Sequence, residues 1–224
     1  MHPSMHRNER GSFVYYTCDR LPVRHAFTTK FGGVSRGDCE SLNLGFNRGD
    51  ERENVLENYR ILAEQLGMDE GRITMTKQIH DTQISVVTEG EAGMGLHQPM
   101  AWESDAIVTA LPETPLCGFY ADCVVTLFYD PATRTAGVAH AGWRGMAAGI
   151  LPKTVEVMAE KLGAKRESLI AVLGPSIRQE CFETDADVPE AMERQLGALV
   201  CPFIKEKGPK FHVDMQGIGV TLLR

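Results

Sequence analysis

Three side chains with donor atoms suited to metal or nucleophilic chemistry stand at strand ends or in glycine-rich turns. They are His80 in Lys77-Gln78-Ile79-His80-Asp81, Cys123 in Tyr120-Ala121-Asp122-Cys123, and His140 in Ala139-His140-Ala141-Gly142-Trp143-Arg144-Gly145. Two imidazoles and a thiolate match zinc, whose borderline-soft character accepts both nitrogen and sulfur. Three protein ligands leave one tetrahedral position for water, which the ion makes hydroxide-like near neutral pH. The same atoms support a second chemistry, a thiolate–imidazole pair of Cys123 with His80 or His140 for covalent hydrolysis. A plain reading also stands: a small buried cysteine and two solvated turn histidines, since the long intervals between them match no compact metal motif. Residue types alone leave all three open.

Other positions could hold a ligand. Gly142, Gly145 and Gly149 keep the backbone open between a strand and a helix start, where free N–H groups meet anions. Arg144 adds a planar fork suited to phosphate or carboxylate, unless it is simply a surface charge. Phe31-Gly32-Gly33-Val34-Ser35 either wraps a ligand or turns a hairpin.

The elements that would position these groups follow from periodicity. Val55, Leu56, Tyr59, Leu62, Ala63 and Leu66 form a helical stripe, with Asp50 as N-cap, Glu53 completing a capping box, and Gly67 as the stop. A second helix is expected from about Met146 to Leu162, with Pro152 in its first turn or bending it, and a short one from Val188. Strand-like runs are His25 to Thr29, Ile73 to Thr76, Ile84 to Val87, Asp105 to Ala110, Leu116 to Tyr120, Val124 to Tyr129, Thr135 to Ala139, Leu169 to Leu173 and Phe211 to Met215. Strands follow one another with few helices between, which predicts an α+β architecture rather than βαβ winding. No linker or repeat divides the chain, so residues 13–224 are expected to form one domain after a flexible tail, 1–12.

Composition narrows the class. The 224 residues carry 23 basic and 30 acidic groups, a net charge of −7. That balance speaks against nucleic-acid or anionic-membrane partners, which need clustered Lys and Arg. No apolar run reaches membrane-spanning length. Met1 to Ser12 lacks the apolar core of a signal peptide, so a cytoplasmic protein is expected. The six cysteines, with no C-x-x-C pair, are then reduced thiols.

Several segments together resemble the laccase-domain family, also called multicopper polyphenol oxidoreductase-like, purine nucleoside phosphorylase or peptidoglycan-editing-factor proteins. They are Phe27-Thr28-Thr29-Lys30-Phe31-Gly32-Gly33-Val34-Ser35, Ser41-Leu42-Asn43-Leu44-Gly45, Gly49-Asp50, Gln78-Ile79-His80, Ser104-Asp105-Ala106-Ile107-Val108-Thr109, Ala121-Asp122-Cys123, His140-Ala141-Gly142-Trp143-Arg144-Gly145 and Gly174-Pro175-Ser176-Ile177, in family order.

The resemblance implies layered mixed β-sheets flanked by helices, a fold shared with a bacterial toxin's cysteine-hydrolase-like domain. It implies that His80, Cys123 and His140 form one catalytic metal site holding zinc, with copper also reported for the family. The implied activities are phosphorolysis of adenosine, inosine, guanosine and methylthioadenosine, and hydrolytic deamination of adenosine. Nucleoside and phosphate would be the partners, with Asn43, Gln78 and Arg144 as expected substrate contacts. A copper phenol oxidase and a cysteine hydrolase acting on cell-wall precursors are the competing enzyme classes. Members usually continue past a Cys-Thr pair into an aromatic, arginine-rich segment. Here the sequence reaches Arg224 soon after Phe211-His212-Val213-Asp214, with the ligand set already complete.

Overall fold

A computed structural model describes residues 5–224. In chain order the elements are β1 (Met5–Arg10), β2 (Phe13–Cys18), β3 (Phe27–Thr28), α1 (Arg52–Leu66), β4 (Thr74–Met75), β5 (Ile84–Val87), β6 (Ala106–Thr109), β7 (Leu116–Cys117), β8 (Val124–Asp130) and β9 (Thr135–Ala141). They continue with α2 (Trp143–Ala147), α3 (Ile150–Leu162), β10 (Ile170–Leu173), β11 (Glu183–Thr184), α4 (Asp187–Leu196), β12 (Ile204–Lys207), β13 (Lys210–Val213) and α5 (Met215–Leu222).

A five-stranded sheet in the order β10-β8-β9-β6-β5 organises the molecule. Its pairs are antiparallel except β5 with β6. Both faces are covered, which is why its strands read as near-continuous apolar runs. Ala106, Val108, Val124, Phe128 and Ala139 point to one face and pack with Met146, Ile150, Leu151, Met158, Met192 and Ile218 of α2 to α5. Ile107, Val125, Val138 and Val172 point to the other and pack with Cys18, Leu21 and Phe27. Strand β2 in turn sends Phe13 and Tyr15 outward against Val55, Tyr59 and Leu62 of α1. The period-two alternation of β2 thus welds the helix-backed hairpin to the sheet. The result is the expected α+β layering: helices, central sheet, the β1-β2-β3 sheet, and α1. A β11-β13-β12 sheet and a parallel β4-β7 pair complete it.

Local details depart from the sequence expectation in instructive ways. Met5–Arg10, within the segment expected to be a tail, pairs along its whole length with β2, and residues 1–4 lie outside the described residues. Helix α1 begins one residue late. Glu51 is its N-cap without a side-chain bond, because the Asp50 carboxylate is occupied by Ser35, Asn43 and Asn54. Gly67 ends α1 in the left-handed conformation at φ +63°, as its position predicts. The helix expected over 146–162 starts earlier and breaks in two at Gly149, whose φ of +79° separates α2 from α3. Pro152 falls in the first turn of α3, where its missing N–H costs nothing. Strands β2, β11 and β12 and helix α5 had no expectation.

Candidate metal centre

His140 occupies the last turn of the pleat in β9, on the same face as Val138, and is buried. Cys123 immediately precedes β8, and the pairing of Val124 with Ala141 brings it beside the end of β9. The turn 174–177 braces this junction: the Ile177 amide donates to the Asp122 carbonyl at 2.9 Å and the Gly174 amide to the Val125 carbonyl at 2.8 Å. His80 arrives from the loop between β4 and β5, with a left-handed φ of +62°. Such a conformation is uncommon for a residue bearing a Cβ.

These three residues, far apart in the chain, come together. One ligand atom from each lies within 4.8 Å of the others. The two imidazoles stand edge to face, with ring centroids 4.7 Å apart and planes at 86°. Donor atoms of a tetrahedral zinc site are separated by roughly 3.3–3.6 Å, given metal–ligand distances of about 2.0–2.3 Å. His80 is the exposed member of the three, and two imidazoles with a thiol are a donor set that suits one zinc ion. Gly142 provides the space: a Cβ there would stand 2.7 Å from His80 Nδ1 and 3.4 Å from Cys123 Sγ.

Electrostatics sets the protonation states. Burial lowers the His140 pKa below its ordinary value, opposed by its hydrogen bond to Asp105. The neutral, ligating form of the imidazole is therefore favoured. Partial burial pushes the Cys123 thiol up, reinforced by the negative charges of Asp122 and Asp105. A nearby cation reverses that preference and yields the thiolate.

Asp105, the residue before β6, was not among the expected site residues. It is 2% exposed, and its carboxylate accepts from His140 Nδ1 at 2.9 Å and from the backbone amides of Ile79, His80 and Asp81. The signal available in the sequence was a carboxylate heading an apolar strand, a position that needs partners when buried.

Of the expected substrate contacts, Gln78 and Asn43 have their side-chain amides engaged within the protein. The Gln78 amide is engaged at both ends by Phe119, donating to its carbonyl at 2.8 Å and accepting from its amide at 2.7 Å. Gln78 thereby ties the His80 loop to the segment leading into Cys123. Asn43 spends its side chain on Gly45 and Asp50 within its own loop. Arg144 is exposed at the start of α2, its guanidinium stacked 4.2 Å from the Trp143 ring centre, and it makes no ion pair among the described residues.

Fold and site together define a layered α+β protein with, among the described residues, one His-Cys-His cluster reaching solvent at one end of its central sheet. The chain belongs to the family described as multi-copper polyphenol oxidoreductase laccase, whose model matches residues 24–224. A purine nucleoside phosphorylase of Deinococcus radiodurans is 37% identical over 203 residues, covering 91% of this chain and 75% of that protein. Another purine nucleoside phosphorylase, from Streptomyces coelicolor, is 38% identical over 203 residues, 87% of this chain and 80% of its own length. Among solved structures, YlmD of Geobacillus stearothermophilus superposes with a TM-score of 0.86 at 28% identity, covering 97% of this chain and 82% of that one. The hypothetical protein YfiH of Bacillus licheniformis matches with the same TM-score of 0.86 at 27% identity, over 96% and 81% of the two chains. No helix among the described residues is long and apolar enough to cross a membrane.

Proposed function

We propose that the chain is a zinc-dependent purine nucleoside phosphorylase acting on adenosine, inosine, guanosine and methylthioadenosine, and that the same site deaminates adenosine. The observation that carries this reading is the convergence of His80, Cys123 and His140 within 4.8 Å, in a chain whose relatives bear that name. When bound, zinc supplies Lewis acidity and a lowered water pKa, the requirement for hydrolytic attack at the purine C6. His80, His140 and Cys123 would hold the ion.

In phosphorolysis a phosphate oxygen bonds to the anomeric carbon as the glycosidic bond breaks, and its electron pair leaves with the purine. Arg144 is the group suited to hold that phosphate. Its guanidinium is exposed, pre-ordered on Trp143 and free of a carboxylate partner among the described residues, so its bidentate fork is available. Asn43 and Gln78 act by bracing the loops around the site. Incubating zinc-loaded protein with adenosine, with and without phosphate, tests the reading. Adenine and ribose phosphate are expected only with phosphate, and inosine without it; absence of all three products sinks the proposal.

The family's descriptive name favours a second reading, copper-dependent oxidation of phenols. Four-electron reduction of oxygen calls for several coppers, yet the described residues assemble one group of three ligands, in a chain with seven histidines. Oxygen uptake with a phenol, strictly dependent on stoichiometric copper, would move the assignment there. A cysteine hydrolase gains less support, because the environment raises the Cys123 pKa where a nucleophilic cysteine has a lowered one. Hydrolysis of a cell-wall precursor that survives chelation and is lost in Cys123→Ala would reverse this order.

A further inference from the structure

We propose that Asp105 is a positioning residue that couples the two imidazoles of the metal centre, so that neither is placed without the other. This rests on the metal-centre reading given above. One buried carboxylate serves both histidines. Its Oδ1 accepts from His140 Nδ1 at 2.9 Å and from the His80 amide at 3.0 Å, while Oδ2 accepts from the Ile79 and Asp81 amides at 3.1 and 2.8 Å. The backbone joins in, the Asp105 carbonyl accepting from the His140 amide at 2.7 Å.

Two consequences follow. A carboxylate is acceptor-only, so the proton of neutral His140 is drawn to Nδ1 and the lone pair stays on Nε2, the atom then free to ligate. Three successive amides converging on one anion form a nest, and the nest bends the loop until His80 adopts its left-handed φ of +62°. Charge-assisted bonds hold a backbone shape that a histidine rarely takes unaided. Asp105 contributes no ligand atom. It selects the tautomer of one ligand and the backbone of the other.

The substitution Asp105→Asn separates this role from mere packing. Asparagine keeps the shape but offers a single acceptor oxygen, and its NH2 opposes whichever N–H groups it meets. In metal-free wild type, ring 15N shifts of His140 should report the Nδ1–H tautomer, and the Ile79, His80 and Asp81 amides should be protected from exchange. In Asp105→Asn the tautomer should shift toward Nε2–H, and zinc affinity by chelator competition should fall about 10- to 100-fold, with far-UV circular dichroism unchanged. A variant affinity within about threefold of wild type would overturn the proposal, threefold lying well below the loss expected for a lost outer-shell partner. So would a wild-type Nε2–H tautomer, or amides exchanging at unprotected rates. The two wild-type readouts decide the matter if the variant does not fold. Should the wild-type protein bind no zinc, the metal reading fails by itself, while tautomer and exchange still judge Asp105.

Discussion

Gly142 illustrates how the site depends on an atom that is missing. Its φ of −65° is open to any residue, so Gly142→Ala carries no backbone strain, but the new methyl would stand 2.7 Å from His80 Nδ1. His80 is exposed and free to swing away. We expect zinc affinity to fall at least tenfold, the scale of a displaced ligand environment, with thermal stability almost unchanged. Calorimetric zinc titration beside a melting curve checks both halves. Replacing each of His80, Cys123 and His140 by alanine should abolish stoichiometric zinc by elemental analysis. His80→Ala should change stability by no more than about 1–2 kcal/mol, the scale of the left-handed backbone that alanine must keep there. The three candidate donors were legible as chemical types at strand ends. Asp105 was harder to see, because its importance lies in four hydrogen bonds that exist only once β6, β9 and the His80 loop are assembled.

At the scale of the elements, the loop before α1 is held by side-chain amides and a carboxylate in addition to the apolar packing of Leu42 and Phe46. Asn58 on α1 is fully buried, accepting from the Val34 amide at 2.8 Å and donating to Ser35 Oγ and the Asn43 carbonyl at 2.8 and 2.7 Å. Asn58→Ala strands those partners and should cost about 2–4 kcal/mol in urea denaturation, several lost or unsatisfied bonds at ~1 kcal/mol each. A loss below ~1 kcal/mol, the worth of one net bond, would show the loop is braced otherwise. The same loop contains Asp50, whose bonds from Asn43, Ser35 and Asn54 hold its pKa at about 2 against an ordinary 3.8. A lowered carboxylate pKa adds stability that is complete above 3.8 and is lost as pH falls toward about 2. Acid titration of stability should therefore steepen in that window for wild type and lack this component in Asp50→Asn. The helical stripe of α1 and its Gly67 stop were readable from periodicity. The competing use of Asp50 as a loop hub was not, since a capping pattern and a hub look identical until Ser35 and Asn43 fold back onto it.

For the molecule as a whole, the central sheet transmits the arrangement. Phe128 on β8 is 2% exposed and packs with the helical layer on the face away from His140. Phe128→Ala should destabilise by about 3–5 kcal/mol through a cavity the sheet cannot fill. Zinc affinity of the fraction that stays folded should be near wild type, a pairing of results that denaturation and metal titration would establish together.

The sequence by itself determined the apolar patterning, hence an α+β chain with successive strands, and it presented the donor types for a metal together with the glycines that leave room around them. Those are properties of neighbours in the chain: side-chain period, turn chemistry and ligand softness act over a few residues. Only the tertiary structure decided that His80, Cys123 and His140 converge, that Gln78 spends its amide on the Phe119 backbone and Asn43 on Gly45 and Asp50, and that the buried Asp105 carboxylate bonds to both histidines. Convergence of distant residues depends on strand order and register, which arise from packing both faces of the sheet at once and leave no local mark on the chain.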